Sequence, residues 1–94
     1  MDYTILGYKA CMMKRKYPNG RLALEFLDLE DGCPITVATV NLPNVHMDSD
    51  EVGIKHYSEN QGILKEMIDQ GIISTPVRYE PSGFVDIPIC KVLI

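Results

Sequence analysis

Ser58-Glu59-Asn60-Gln61-Gly62-Ile63-Leu64-Lys65-Glu66-Met67-Ile68-Asp69-Gln70-Gly71 is the one stretch of this 94-residue chain with helical spacing, and its reading decides the fold. Ser58 has the hydroxyl of an N-cap, and Ser58-x-x-Gln61 is a capping-box pattern. Glu59 puts negative charge near the positive end of the helix dipole. Ile63, Leu64, Met67 and Ile68 make one apolar stripe, with Lys65, Glu66, Asp69 and Gln70 opposite. Gly71 suits the left-handed residue that ends a helix, and Ile72 the apolar contact after it. Gly62, read as helix interior, costs about 1 kcal/mol against Ala. Its expected reason is close approach of helix to sheet. A helix this short is marginal alone, so its stripe must lie on a sheet.

Outward from the helix the chain reads as strand and turn. Thr4 to Met13 and Arg21 to Leu27 alternate with period two. Tyr17-Pro18-Asn19-Gly20 joins them as a bulged loop. Pairing Tyr17 with Arg21 sets Lys14 opposite Leu24 and Met12 opposite Phe26. Leu6, Tyr8, Ala10 and Met12 then share a face with Leu22, Leu24 and Phe26, and a slip of one residue would break that agreement. Leu29-Glu30-Asp31-Gly32 repeats the turn grammar and leads into Ile35 to Val40. Pairing Leu29 with Cys33 sets Phe26 opposite Thr36 and Leu22 opposite Val40. Glu51 to Tyr57 reads as a short strand with Val52 and Ile54 inward. Ile72 to Tyr79 and Phe84 to Val92 read as a hairpin across Glu80-Pro81-Ser82-Gly83, with Arg78 opposite Asp86 and Pro76 facing Pro88. The expected architecture is one α+β domain over residues 1–94. Its antiparallel sheet has five or six strands in the order β-β-β-(β)-α-β-β, with one short helix on one face.

Composition bounds the function. At 46% hydrophobic and 23% charged, the chain is globular rather than disordered. No apolar run is long enough to cross a membrane, and the N-terminus does not read as a secretory signal. Cys11, Cys33 and Cys90 therefore read as reduced thiols in a cytoplasm. Residues 1–24 carry Lys9, Lys14, Arg15, Lys16 and Arg21 against Asp2, a net +4, and the remainder carries −8. Such segregation shapes encounters with charged partners.

Catalytic and metal chemistries find no support. Asp48, Asp50, Gly53 and Glu59 fall at positions 1, 3, 6 and 12 of a calcium loop. Val52, however, stands where a side-chain oxygen is needed, Lys55 where an apolar residue belongs, and Leu42 to Val45 offers no incoming helix. No Cys or His spacing suits zinc, His56 stands two residues before Ser58 but Ser58 is read as the helix cap, and no glycine-rich loop opens the helix. The expectation is a non-enzyme without metal or cofactor.

Two charged surfaces remain. Asp28, Glu30, Asp31, Asp48, Asp50 and Glu51 form a candidate acidic surface for a basic groove on another protein. Lys14, Arg15, Lys16, Tyr17 and Arg21 form a basic hairpin tip that suits phosphates and a stacked base, although the overall pI of 5.0 runs against nucleic acid. A third reading is a structural homo-oligomer, an exposed edge strand pairing with its copy.

The second half also carries a resemblance. Asn41-Leu42-Pro43, Asp50-Glu51-Val52 through Lys55-His56-Tyr57-Ser58-Glu59-Asn60, and Gly83-Phe84-Val85-x-Ile87-Pro88-Ile89-Cys90 resemble a family of small proteins carried by plasmids, phages and integrative elements of gut bacteria. The resemblance brings no catalytic residue. It implies a genetic context in which small acidic proteins act as inhibitors of host defence, of the anti-CRISPR or anti-restriction type.

Overall fold

A computed structural model describes residues 2–94. The fold is α+β, mostly antiparallel sheet with one short helix. Its strands are β1 (Tyr3–Ile5), β2 (Tyr8–Lys16), β3 (Leu22–Asp28), β4 (Pro34–Val37), β5 (Thr39–Val40), β6 (Glu51–Ile54), β7 (Arg78–Ser82) and β8 (Val85–Lys91). A 3-10 turn, Ser58–Asn60, precedes the helix α1 (Ile63–Asp69). The strands divide into two sheets of four, in the orders β1-β2-β3-β4 and β5-β6-β8-β7, instead of one sheet of five or six.

The division happens at Ala38. Its N–H donates to Leu24 in the first sheet and its C=O accepts from Lys55 beside the second, both at 2.8 Å. Ala38 is fully buried, so only a small side chain fits where the strand changes sheets. This crossing also ends the expected pairing early. Phe26 does lie opposite Thr36, but Val40 pairs with Gly53 and not with Leu22.

The first hairpin follows its turn chemistry. Gly20 takes φ +85° and donates to Tyr17 C=O at 2.8 Å, Met12 faces Phe26 and Lys14 faces Leu24. The run from Thr4 is not one strand, however. Leu6 and Gly7 take φ +51° and +86° and turn β1 back on β2, so Tyr3 pairs with Ala10. Two successive left-handed residues are the signature of a tight hairpin turn. Leucine is strained there, and both carboxylate oxygens of Glu66 accept from Leu6 N–H, at 3.0 and 3.2 Å. Tyr8, expected inward, is exposed beyond the end of the core.

The expected single helix from Ser58 is broken. Ser58 sits at φ +59° and makes no side-chain cap, and the residue before α1 is Gly62 at φ +88°. Gly62 is therefore the hinge between the 3-10 turn and α1, and a Cβ there would meet nothing within 4 Å. The close-approach glycine is Gly53, where a Cβ would lie 2.9 Å from Ile87 Cγ2. The C-terminal end forms as read: Gly71 takes φ +73°, donates to Ile68, and Ile72 N–H reaches back to Met67, both at 3.0 Å.

The main core lies between the two sheets and α1. It gathers Ile5, Leu24, Phe26, Val52, Ile54, Ile63, Met67 and Ile72, with Tyr3 set edge-on to Phe26 at 6.4 Å. Burying a side chain of this size contributes about 2 kcal/mol. Ile87 and Ile89 are buried on the opposite face of the second sheet, where Leu42 and Val40 come down over Gly53.

The last hairpin is shifted by three residues from the expected register. Ser82 pairs with Val85 across a two-residue turn with Gly83 at φ +61°, Tyr79 faces Pro88 and Arg78 faces Ile89. Arg78 therefore does not meet Asp86, and Pro76 does not meet Pro88. The two-residue turn places Pro81 and Pro88 at positions where β7 and β8 exchange no hydrogen bond, which a proline tolerates.

Candidate interaction surfaces

The six acidic candidates do not form one surface. Asp28, Glu30 and Asp31 lie in the β3–β4 turn, and Asp48, Asp50 and Glu51 lie at the entry to β6. Asp48 lines the same cleft as Lys16, Asn19 and Arg21 at the opposite end of β3. The seven residues of β3 separate the two ends by about 20 Å.

Glu51 is committed to the interior. It is buried and takes two hydrogen bonds from Arg78, each 2.9 Å, and one from Asp48 N–H at 2.9 Å. The Arg78 bonds, then the Asp48 N–H, hold its carboxyl at about 2 against an ordinary 4.5, overcoming the opposing effect of burial. Arg78 also donates to His46 C=O at 3.1 Å and lies 3.5 Å from Glu80. This cluster fastens the loop before β6 to β7. Asp50 lies 3.5 Å from Lys91, and Asp48 lies 3.8 Å from His46.

The β3–β4 turn is different. Asp28 Oδ1 accepts from Glu30 N–H and Asp31 Oδ1 from Cys33 N–H, at 2.8 and 2.9 Å, bonds that shape the turn. Among the described residues no Lys or Arg pairs with Asp28, Glu30 or Asp31 within 4.0 Å. Leu29 is exposed between them, and its N–H on Lys9 C=O at 3.0 Å ties the turn to β2 near exposed Tyr8. Cys33 is exposed here, and its hydrogen bond with Asp31, then the charge of Asp31, pushes its thiol up. Cys90, by contrast, is pushed up to about 11 by burial.

Most of the basic tip is engaged. Arg15 Nε donates to Glu25 at 2.6 Å, Lys14 to the C=O of Ile94, and Arg21 to Leu42 C=O at 2.6 Å. The Tyr17 hydroxyl lies 3.1 Å from Thr39 C=O and 2.9 Å from Thr39 Oγ1, which takes the ring away from a stacking role. Lys16 alone of the five stands exposed without such a bond among the described residues. No group of three His, Cys, Asp or Glu among these residues is placed to hold a metal ion. No described helix is long and apolar enough to cross a membrane.

The residues that the sequence did not mark are those on the sheet edges. Gln70 makes two hydrogen bonds to Thr4 of β1, and Glu66 takes the next N–H. Asn60, fully buried, donates to Val37 C=O at 3.0 Å and accepts from Thr36 Oγ1 at 2.6 Å, closing β4. Tyr17 closes β5 through Thr39. Side chains thus occupy main-chain groups that would otherwise recruit another strand.

Set against protein-family models, curated proteins and solved structures, the chain matches none.

Proposed function

We propose that the chain is a non-enzymatic binding protein of a phage or other mobile element, which inhibits a host defence nuclease by protein–protein contact. The observation that carries this reading is the Asp28–Asp31 turn. It sets three carboxylates without a Lys or Arg partner among the described residues at one end of β3, while Asp50 and Glu51 are taken up by Lys91 and Arg78. Leu29 and Tyr8 supply exposed apolar surface beside them. Carboxylates around apolar contacts suit a basic groove of the kind that holds nucleic acid in a nuclease. The likeness of the second half to a mobile-element family points the same way. The nucleic-acid alternative is weakened because Arg15, Tyr17 and Arg21 make bonds within the chain.

Affinity capture of the tagged chain from a bacterial host lysate, with and without nuclease treatment, tests the reading. The expected result is a stoichiometric nuclease that survives the treatment. Captured nucleic acid, or partners lost on treatment, would overturn it and turn attention to Lys16.

A further inference from the structure

We propose that β7 is the edge through which two copies of this chain pair, in an antiparallel two-fold centred on Tyr79. The other three sheet edges are closed by Gln70 and Glu66, by Asn60 and by Tyr17. β7 ends the order β5-β6-β8-β7, and among the described residues no side chain bonds its outer main-chain groups. Tyr79, and Val77 just before the strand, are exposed and leave apolar surface along that edge.

The hydrogen-bond alternation fixes what the edge offers. Ser82 and Val85 flank the turn as a hydrogen-bonded pair, so Glu80 and Arg78 also bond inward, toward β8. Tyr79 N–H and C=O then face outward. Val77 N–H is turned inward onto Ile89 C=O at 2.8 Å, and Pro81 has no N–H. The outer edge therefore carries one donor, at Tyr79.

A second copy fits this short edge. Across a two-fold at Tyr79, the two Tyr79 residues exchange N–H···O=C bonds. Arg78, whose guanidinium stays on Glu51 of its own chain, comes opposite Glu80 of the second copy, so no like charges meet, and the same arrangement recurs on the other side of the axis. Val77 comes opposite Pro81 of the second copy, so the residue whose N–H is used inward meets the residue that has none. Run antiparallel, Arg78-Tyr79-Glu80 thus sets opposite charges face to face, with Arg78 shared between Glu51 and Glu80 of its own chain and Glu80 of the second copy. Such an interface uses the same patch on both copies and closes at two. Because only a few residues pair, the association is weak and grows with concentration.

Sedimentation equilibrium of the full chain, from micromolar to millimolar, tests this. The expected mass rises from 10.6 kDa toward twice that value. Tyr79→Pro removes the outward donor and leaves the β7–β8 bonds in place, so it is expected to stay monomeric with an unchanged circular dichroism spectrum. Glu80→Lys sets a cation opposite Arg78 of the second copy and is expected to weaken association about tenfold. It decides the matter if Tyr79→Pro does not fold. A wild-type chain that stays at 10.6 kDa throughout would overturn the proposal, as would undiminished association of a folded variant.

Discussion

Gln70 and Thr4, 66 positions apart, meet as two strands would: Gln70 Oε1 accepts from Thr4 N–H at 2.8 Å, and Gln70 Nε2 donates to Thr4 C=O at 2.9 Å. The side-chain amide stands in for a peptide group at the end of the sheet. Glu66, one helical turn earlier, accepts the N–H of strained Leu6. One face of α1 supplies core through Ile63 and Met67, while Glu66 and Gln70 finish an edge. Gln70→Ala is expected to lower stability by about 1 kcal/mol, because water can replace bonds at exposed Thr4. Urea denaturation measures it, and no change in midpoint would contradict the edge-closing role.

Asn60 does the same for β4, from a fully buried position. Its removal takes a partner from the part-buried Val37 carbonyl and Thr36 hydroxyl and leaves a cavity where a fully buried side chain stood. Asn60→Ala is expected to cost about 2–3 kcal/mol, more than Gln70→Ala. The two variants compared in one denaturation series check the ranking, and the reverse order would refute it.

Gly53 is needed for space. A Cβ there would press on Ile87 Cγ2 at 2.9 Å and Leu42 Cδ1 at 3.3 Å. Gly53→Ala is expected to destabilise the chain by about 1–3 kcal/mol through overpacking. A thermal midpoint equal to wild type would show that the small core over β6 and β8 is looser than described.

Glu51 ties stability to pH. Its carboxyl is held at about 2, below the ordinary 4.5, first by Arg78. A group depressed on folding contributes fully above its unfolded value and loses that contribution as pH falls toward its folded one. Thermal stability is therefore expected to fall between pH 4.5 and about 2, and Glu51→Gln to flatten that part of the profile. A variant whose profile follows wild type through this window would remove Glu51 from the account.

The sequence carried the parts of the fold that local chemistry controls. Pro18 and Gly20 announced the first turn and with it the Met12–Phe26 register. Gly71 and Ile72 announced the end of α1. What it concealed depends on distant partners. Leu6 can turn because Glu66 waits 60 positions away, and periodicity alone carried the strand through it. Ser58 looked like a cap, but buried Asn60, bonded to β4, coincides with a 3-10 turn there and leaves Gly62 to restart the helix. The acidic candidates were legible as charge and not as surface. Glu51 and Glu30 look alike in a string of letters, yet one is clamped by Arg78 and the other stands in the β3–β4 turn.

The most direct measurement is calorimetric titration of the captured partner with the wild-type chain and with the combined Asp28→Asn, Glu30→Gln, Asp31→Asn variant, at low and high salt. Three exposed ion pairs at an interface are worth about tenfold in affinity at low salt. The account predicts a loss of that size and a flatter salt dependence in the variant. Equal affinity of the two proteins at both salts would contradict it, and the β3–β4 turn would then be solvated charge and no interface.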